Sequence, residues 1–71
     1  MSERIEAELV ASVREIRVSE GDLVRAGDAV VILEASKLEI PVLAGTSGTV
    51  SEIDVAPGDA VEEGDLLAVI A

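Results

Sequence analysis

Gly21-Asp22-Leu23-Val24-Arg25-Ala26-Gly27-Asp28 recurs 37 residues downstream as Gly58-Asp59-Ala60-Val61-Glu62-Glu63-Gly64-Asp65. At the same offset Val13 maps to Val50, Glu15 to Glu52, Ile16 to Ile53 and Val18 to Val55. The chain therefore contains one unit twice, which predicts two like halves related by a pseudo-twofold axis. Each Gly-Asp pair fits a turn, because glycine takes positive φ cheaply and aspartate accepts hydrogen bonds from nearby backbone N–H groups. Only short segments separate the turns, so the halves are built from short elements with tight connections.

Those segments read as strands. Ile5, Ala7 and Leu9 alternate with Glu6 and Glu8, the period of a half-buried strand. Val13, Ile16 and Val18 follow, but the step from 13 to 16 breaks the period of two, and the same break recurs at Val50, Ile53 and Val55. A one-residue slip would turn a core face outward, so a bulge or sharp bend is expected in both copies. Ala29-Val30-Val31-Ile32-Leu33 and Leu66-Leu67-Ala68-Val69-Ile70 are continuous apolar runs, which suit strands covered on both faces. Residues 39–43 form a further strand, where Pro41 must lie at a position that needs no ladder donor. Gly45 and Gly48 bracket the turn that enters the second copy. The pattern predicts seven or eight strands, no helix, and an all-β fold: a flattened barrel or sandwich of two small antiparallel sheets.

At 71 residues the chain is expected to be a single domain over 1–71, near the lower size limit for independent folding. It has no cysteine and no histidine, so disulfides, thiolate chemistry and the usual zinc ligands are excluded. The core must come from 11 Val, 6 Ile and 7 Leu, whose β-branched excess favours strands. Fifteen carboxylates against five basic residues give a net charge of −10, which argues against nucleic acid and anionic membranes as partners. Size and charge favour a monomer. No stretch approaches the roughly 18 apolar residues of a membrane span, and Met1-Ser2-Glu3-Arg4-Ile5-Glu6 lacks a signal-peptide layout. Cytoplasmic residence is the resulting expectation.

Lys37 is the only lysine. It lies in Glu34-Ala35-Ser36-Lys37-Leu38-Glu39-Ile40-Pro41-Val42, at the seam between the two copies, and residues 34–38 are expected to form a hairpin connection. A unique amine presented there suits covalent attachment, although an exposed turn lysine is ordinary in itself. Other residues read as structure. Asp22, Asp28, Asp59 and Asp65 lack the alternating ligand pattern of a calcium loop and are read as turn formers. Glu62-Glu63 is read as a solvated turn. No phosphate-binding glycine loop or nucleophile elbow can be picked out.

The stretch Glu34-Ala35-Ser36-Lys37-Leu38-Glu39-Ile40-Pro41-Val42-Leu43-Ala44, with Gly48-Thr49-Val50 and Val55-Ala56-Pro57-Gly58-Asp59, resembles the biotinyl/lipoyl attachment domains. The resemblance covers essentially the whole chain. It is similar in layout to the small free-standing biotin carboxyl carriers, since no space for an inserted thumb loop exists between Gly21 and Gly27. The resemblance implies a barrel-sandwich hybrid with Lys37 as the acceptor on a hairpin turn. Ser36 and Leu38 would be flanking recognition residues, and Glu34, Ala35 and Glu39 would be read by a biotin protein ligase. It further implies a non-catalytic carrier serving biotin carboxylase and carboxyltransferase subunits that act on an acyl-CoA. The neutral amine is the nucleophile, whereas lysine is protonated at neutral pH. Glu34 and Glu39 nearby favour the charged form, so the ligase must help to remove the proton.

Biotin acceptors of this family usually carry methionine on both sides of the lysine, where this chain has Ser36 and Leu38. Lipoyl acceptors usually carry an aspartate before the lysine, and Ser36 is polar but uncharged. Lipoate on Lys37, as in 2-oxo acid dehydrogenase systems, is thus the alternative cofactor. An unmodified interaction or scaffold domain is the third reading.

Overall fold

A computed structural model describes residues 2–71; Met1, read as the initiator, lies outside the described residues. Eight strands are formed: β1 (Glu3–Glu6), β2 (Ala11–Ile16), β3 (Leu23–Val24), β4 (Ala29–Ala35), β5 (Leu38–Leu43), β6 (Gly48–Ile53), β7 (Ala60–Val61) and β8 (Leu66–Ile70). They assemble into two antiparallel four-stranded sheets ordered β1-β8-β6-β3 and β5-β4-β2-β7. The molecule is a sandwich rather than a closed barrel, because the outer strands of one sheet do not pair with those of the other.

The 37-residue repeat maps each of the first four strands onto the strand four places later. That operation converts one sheet order into the other, so the pseudo-twofold axis exchanges the sheets, and each half gives two strands to both. The register follows the same symmetry. Glu3↔Ile70, Arg4↔Val69 and Ile5↔Ala68 in β1–β8 correspond to Ile40↔Leu33, Pro41↔Ile32 and Val42↔Val31 in β5–β4.

Both expected irregularities are present. The β2–β4 register shifts between Val13 and Glu15, and the β6–β8 register shifts between Val50 and Glu52. Each is the extra residue of a β-bulge, and each lets Val13 or Val50 and the later apolar residues share the core side. Val13 and Val50 are buried, with Ile16, Val18, Ile53 and Val55 packed against the core.

The four Gly-Asp turns are built alike. Gly21, Gly27, Gly58 and Gly64 have φ between 92° and 96°, a conformation that favours glycine. The carboxylates of Asp22, Asp28, Asp59 and Asp65 accept hydrogen bonds at 2.8–2.9 Å from the N–H groups of Ser19, Arg25, Ala56 and Glu62. These side chains hold their own turns, as the sequence suggested. The turn backbones also reach across to the other half. Gly21 N–H donates to the Val50 carbonyl and Val50 N–H donates to the Asp22 carbonyl, while Gly58 and Asp59 treat Val13 in the same way. Gly27 and Asp28 hold Ala44 by the matching pair of bonds, and Gly64 and Asp65 hold Ala7. The halves are interlocked, so neither can form its hydrogen bonds alone.

This exchange corrects one expectation. The strand through Ile5, Ala7 and Leu9 ends at Glu6, because the register shifts after Ile5 and the backbone of Ala7 is taken by the Gly64-Asp65 turn. Ile5 and Ala7 are nevertheless buried. The two apolar runs become β4 and β8 and supply the most deeply buried side chains, Leu33, Leu67, Ile70, Val30 and Val31. β5 is an edge strand, where Pro41 withholds no N–H that a neighbouring strand requires.

Candidate functional site

β4 and β5 form the hairpin that carries Lys37. Its ladder runs Leu33↔Ile40, Glu34↔Glu39 and Ala35↔Leu38, which leaves Ser36 and Lys37 as a two-residue loop. The five-residue connection expected at 34–38 is thus corrected: strand pairing continues to the last residue before the loop. The cause is the backbone at the tip. Ser36 has φ of 51° and Lys37 has φ of 66°, the left-handed pair that a type I′ turn requires. Such a turn matches the twist of the flanking strands, so the hairpin can stay paired up to Ala35 and Leu38.

Neither serine nor lysine is a preferred resident of that region, and left-handed backbone costs an ordinary L-residue about 1–2 kcal/mol. The buried ends of the hairpin, Val30 to Leu33, hold the strands in register and impose the turn. Ser36, Lys37 and Leu38 are exposed, and Leu38 is 67% exposed despite its apolar side chain. Ala35 is half-buried beneath them. The tip therefore offers a primary amine on a four-carbon stem, flanked by a short hydroxyl and an exposed apolar side chain, on a backbone with little freedom.

Below the tip, Glu34 and Glu39 stand directly opposite each other. Like charges so placed repel. Arg14, on β2, resolves this: one guanidinium nitrogen lies 3.2 Å from the Glu34 carboxylate and another 2.8 Å from that of Glu39. Both carboxylates are thus met by Arg14, and among the described residues no ion pair involves Lys37. Arg14 was not singled out as a site residue from the sequence. The break between Val13 and Ile16 signals a bulge, but only the register, which passes from Val13↔Leu33 to Glu15↔Ile32, makes Arg14 rather than Glu15 the surplus residue.

The remaining surface is not arranged around Lys37. A groove between the edge strands β1 and β5 is lined by apolar residues such as Leu9 and Val42 and by the charged Glu3, Arg4, Glu6 and Glu8, and does not include Lys37. Among the described residues no group of three or more acidic, cysteine or histidine side chains is placed to hold a metal ion. The geometry leaves the primary amine of Lys37 exposed at the hairpin tip.

The family model described as "Biotin-requiring enzyme" matches residues 4–70. A protein of Mycobacterium leprae named "Biotinylated protein TB7.3 homolog" is 55% identical over 71 residues, covering 100% of both chains. The Kluyveromyces lactis urea carboxylase structure superimposes with a TM-score of 0.94 at 42% identity, covering 100% of this chain and 6% of that one. A single-chain, multi-domain long-chain acyl-CoA carboxylase gives a TM-score of 0.89 at 32% identity, covering 96% of this chain and 7% of the larger one. The lipoyl domain of the Azotobacter vinelandii 2-oxoglutarate dehydrogenase complex, at 25% identity, gives 0.77 over 94% of this chain and 95% of that domain. The chain thus spans a small part of the two carboxylases and nearly all of the lipoyl domain. With the repeat, the interlocked turns and the lysine hairpin all in one frame, the chain belongs to the biotin/lipoyl attachment family.

Proposed function

We propose that the protein is a biotin carboxyl carrier, one carrier domain over residues 1–71, with biotin attached to Lys37 by a biotin protein ligase. The observation that carries this reading is the placement of the only lysine on an exposed two-residue turn, in a chain 55% identical along its full length to a biotinylated protein. Lys37 Nζ attacks the acyl carbon of biotinyl-adenylate, the C–N bond forms, AMP leaves, and a proton is lost from nitrogen. Ser36 and Leu38 flank the amine and are the residues a ligase meets first, with Ala35 and the Glu34–Glu39 pair below. Biotin, once bound, supplies a ring nitrogen that accepts and gives up carboxylate.

The chain's own part is presentation. The hairpin holds Lys37 clear of the core while the interlocked halves keep its base rigid. In this reading the domain acts as a cytoplasmic monomer with no catalytic activity of its own. It serves a biotin carboxylase and a carboxyltransferase working on an acyl-CoA; the likeness to the acyl-CoA carboxylase supports that acceptor class.

The test is the intact mass of the protein co-expressed with a biotin ligase in excess biotin, beside the Lys37→Arg variant. One biotinyl adduct on the parent and none on the variant is the expected result. An unmodified parent would overturn biotin acceptance. The likeness to a lipoyl domain and the polar Ser36 favour lipoate as the second reading, for which a lipoyl ligase is substituted in the same assay. Failure with both ligases would leave an interaction domain with an unread lysine.

A further inference from the structure

The bulge in β2 makes Arg14 the surplus residue, since the register passes from Val13↔Leu33 to Glu15↔Ile32. Its side chain crosses β4 and reaches β5, contacting Glu34 at 3.2 Å and Glu39 at 2.8 Å. The matching bulge in the second half places Ser51 in the same role. There the hydroxyl simply donates to the Val69 carbonyl at 3.2 Å. A charged bridge is therefore no requirement of the bulge. It occurs in the half that carries Lys37, at the neck of the hairpin that presents it.

Glu34 lies three residues before Lys37 and Glu39 two after it, as the facing pair one step below Ala35↔Leu38 at the loop. A carboxylate that captures a lysine ammonium stabilises the charged form and draws the side chain down onto the strands. An ammonium has no lone pair with which to attack an acyl carbon. Arg14 contacts both carboxylates and offsets one of their two charges. Its guanidinium is a planar fork that stays charged and can meet two acceptors, which a lysine in its place would do less well.

We infer that Arg14 is a positioning residue for acylation of Lys37: by engaging Glu34 and Glu39 it keeps their carboxylates from pairing with the lysine and leaves the amine accessible at the turn. This rests on the reading of Lys37 as an acylation site. The step it serves forms the C–N bond from the neutral Nζ, breaks the acyl C–O bond to the leaving group, and releases one proton.

The test uses a small acylating probe, sulfo-N-hydroxysuccinimidyl acetate, so that no ligase is required. Acetylation of Lys37 is separated from that of the α-amine by peptide mass mapping. The proteins compared are the parent, Arg14→Ala, Arg14→Lys and Arg14→Ala combined with Glu34→Gln and Glu39→Gln. Loss of the single guanidinium charge leaves one more uncompensated negative charge near the amine, and a unit charge about 7 Å away in water is worth about threefold at low ionic strength, so Arg14→Ala should react about threefold more slowly. The difference should shrink towards parity at about 1 M salt, where the screening length is about 3 Å. The triple variant should reach at least the parent rate, and Arg14→Lys should recover part of the loss. A purely structural role for Arg14 would not be reversed by deleting the carboxylates or by salt. Equal rates for parent and Arg14→Ala at low salt would overturn the inference, as would a slow rate that persists in the triple variant. A parent that reacts with the probe but takes no biotin from the ligase would sink the carrier reading and leave this one standing.

Discussion

Replacing Ser36 by asparagine should stabilise the protein, and replacing it by valine should destabilise it, if the hairpin tip has the left-handed backbone described above. Ser36 sits at φ of 51° with Lys37 at 66°, and the cost of that region to an ordinary L-residue is about 1–2 kcal/mol. Asparagine tolerates it far better, so Ser36→Asn should regain about 0.5–1 kcal/mol of the strain. Glycine is the less decisive substitution, because its extra unfolded-state freedom removes about 0.4–1 kcal/mol of the gain. Valine, branched at Cβ, adds crowding at a position where branching is least tolerated, and should cost about 1 kcal/mol or more beyond serine. In a domain of this size 1 kcal/mol moves Tm by about 4–8 °C. The expected shifts are therefore upward by about 2–8 °C for asparagine and downward by about 4 °C or more for valine. The chain has no aromatic residue, so the melt is followed by far-UV circular dichroism or calorimetry rather than by intrinsic fluorescence. A valine variant as stable as the parent, together with no gain from asparagine, would refute the turn geometry and with it the rigid presentation of Lys37.

Two further outcomes test the frame around the site. Gly48→Ala should cost about 1–3 kcal/mol by overpacking, since a Cβ there would press on the Ala71 carbonyl oxygen and lie 3.0 Å from Ile70 Cγ2. A melt unchanged from the parent would show that β8 does not close against β6 as described, where Thr49 and Ala71 exchange both backbone hydrogen bonds. Glu52 has its carboxyl raised above the ordinary value of 4.5, first by a hydrogen bond with Asp54 and then by the repulsion of that carboxylate. The folded state therefore binds this proton more tightly than the unfolded state. Its contribution is fully present below the ordinary value and lost as pH rises through the raised one. Relative to Glu52→Gln, the parent should lose urea resistance on going from about pH 4 to about pH 6; a difference independent of pH would refute the Glu52–Asp54 coupling.

Much of the frame was legible because it is local and occurs twice. A Gly-Asp pair states its own turn, and the jump from Val13 to Ile16, repeated from Val50 to Ile53, states a bulge without reference to any partner. The place of Pro41 in an edge strand follows from its missing donor. The candidate site was legible only in part. Lys37 stood out as the single lysine at the seam, but the length of its loop did not, because serine and lysine carry no preference for positive φ. Arg14 was missed for a different reason. Its partners lie 20 residues away on β4 and 25 away on β5, and only the sheet order brings them together.

The amino-acid sequence by itself determined that this protein has two like halves of short strands, held by glycine-aspartate turns and joined through one lysine. It could do so because turn chemistry and hydrophobic period act over a few residues. Only the tertiary structure decided that the halves exchange strands and clamp one another's backbones, that the sheets remain an open sandwich, and that Glu34 and Glu39 are held by Arg14. It also decided that Ser36 and Lys37 adopt left-handed backbone against their own preference. The physical reason is that a paired and buried hairpin supplies more free energy than two unfavourable φ angles consume, and that energy exists only once β4 is packed between β2 and β5.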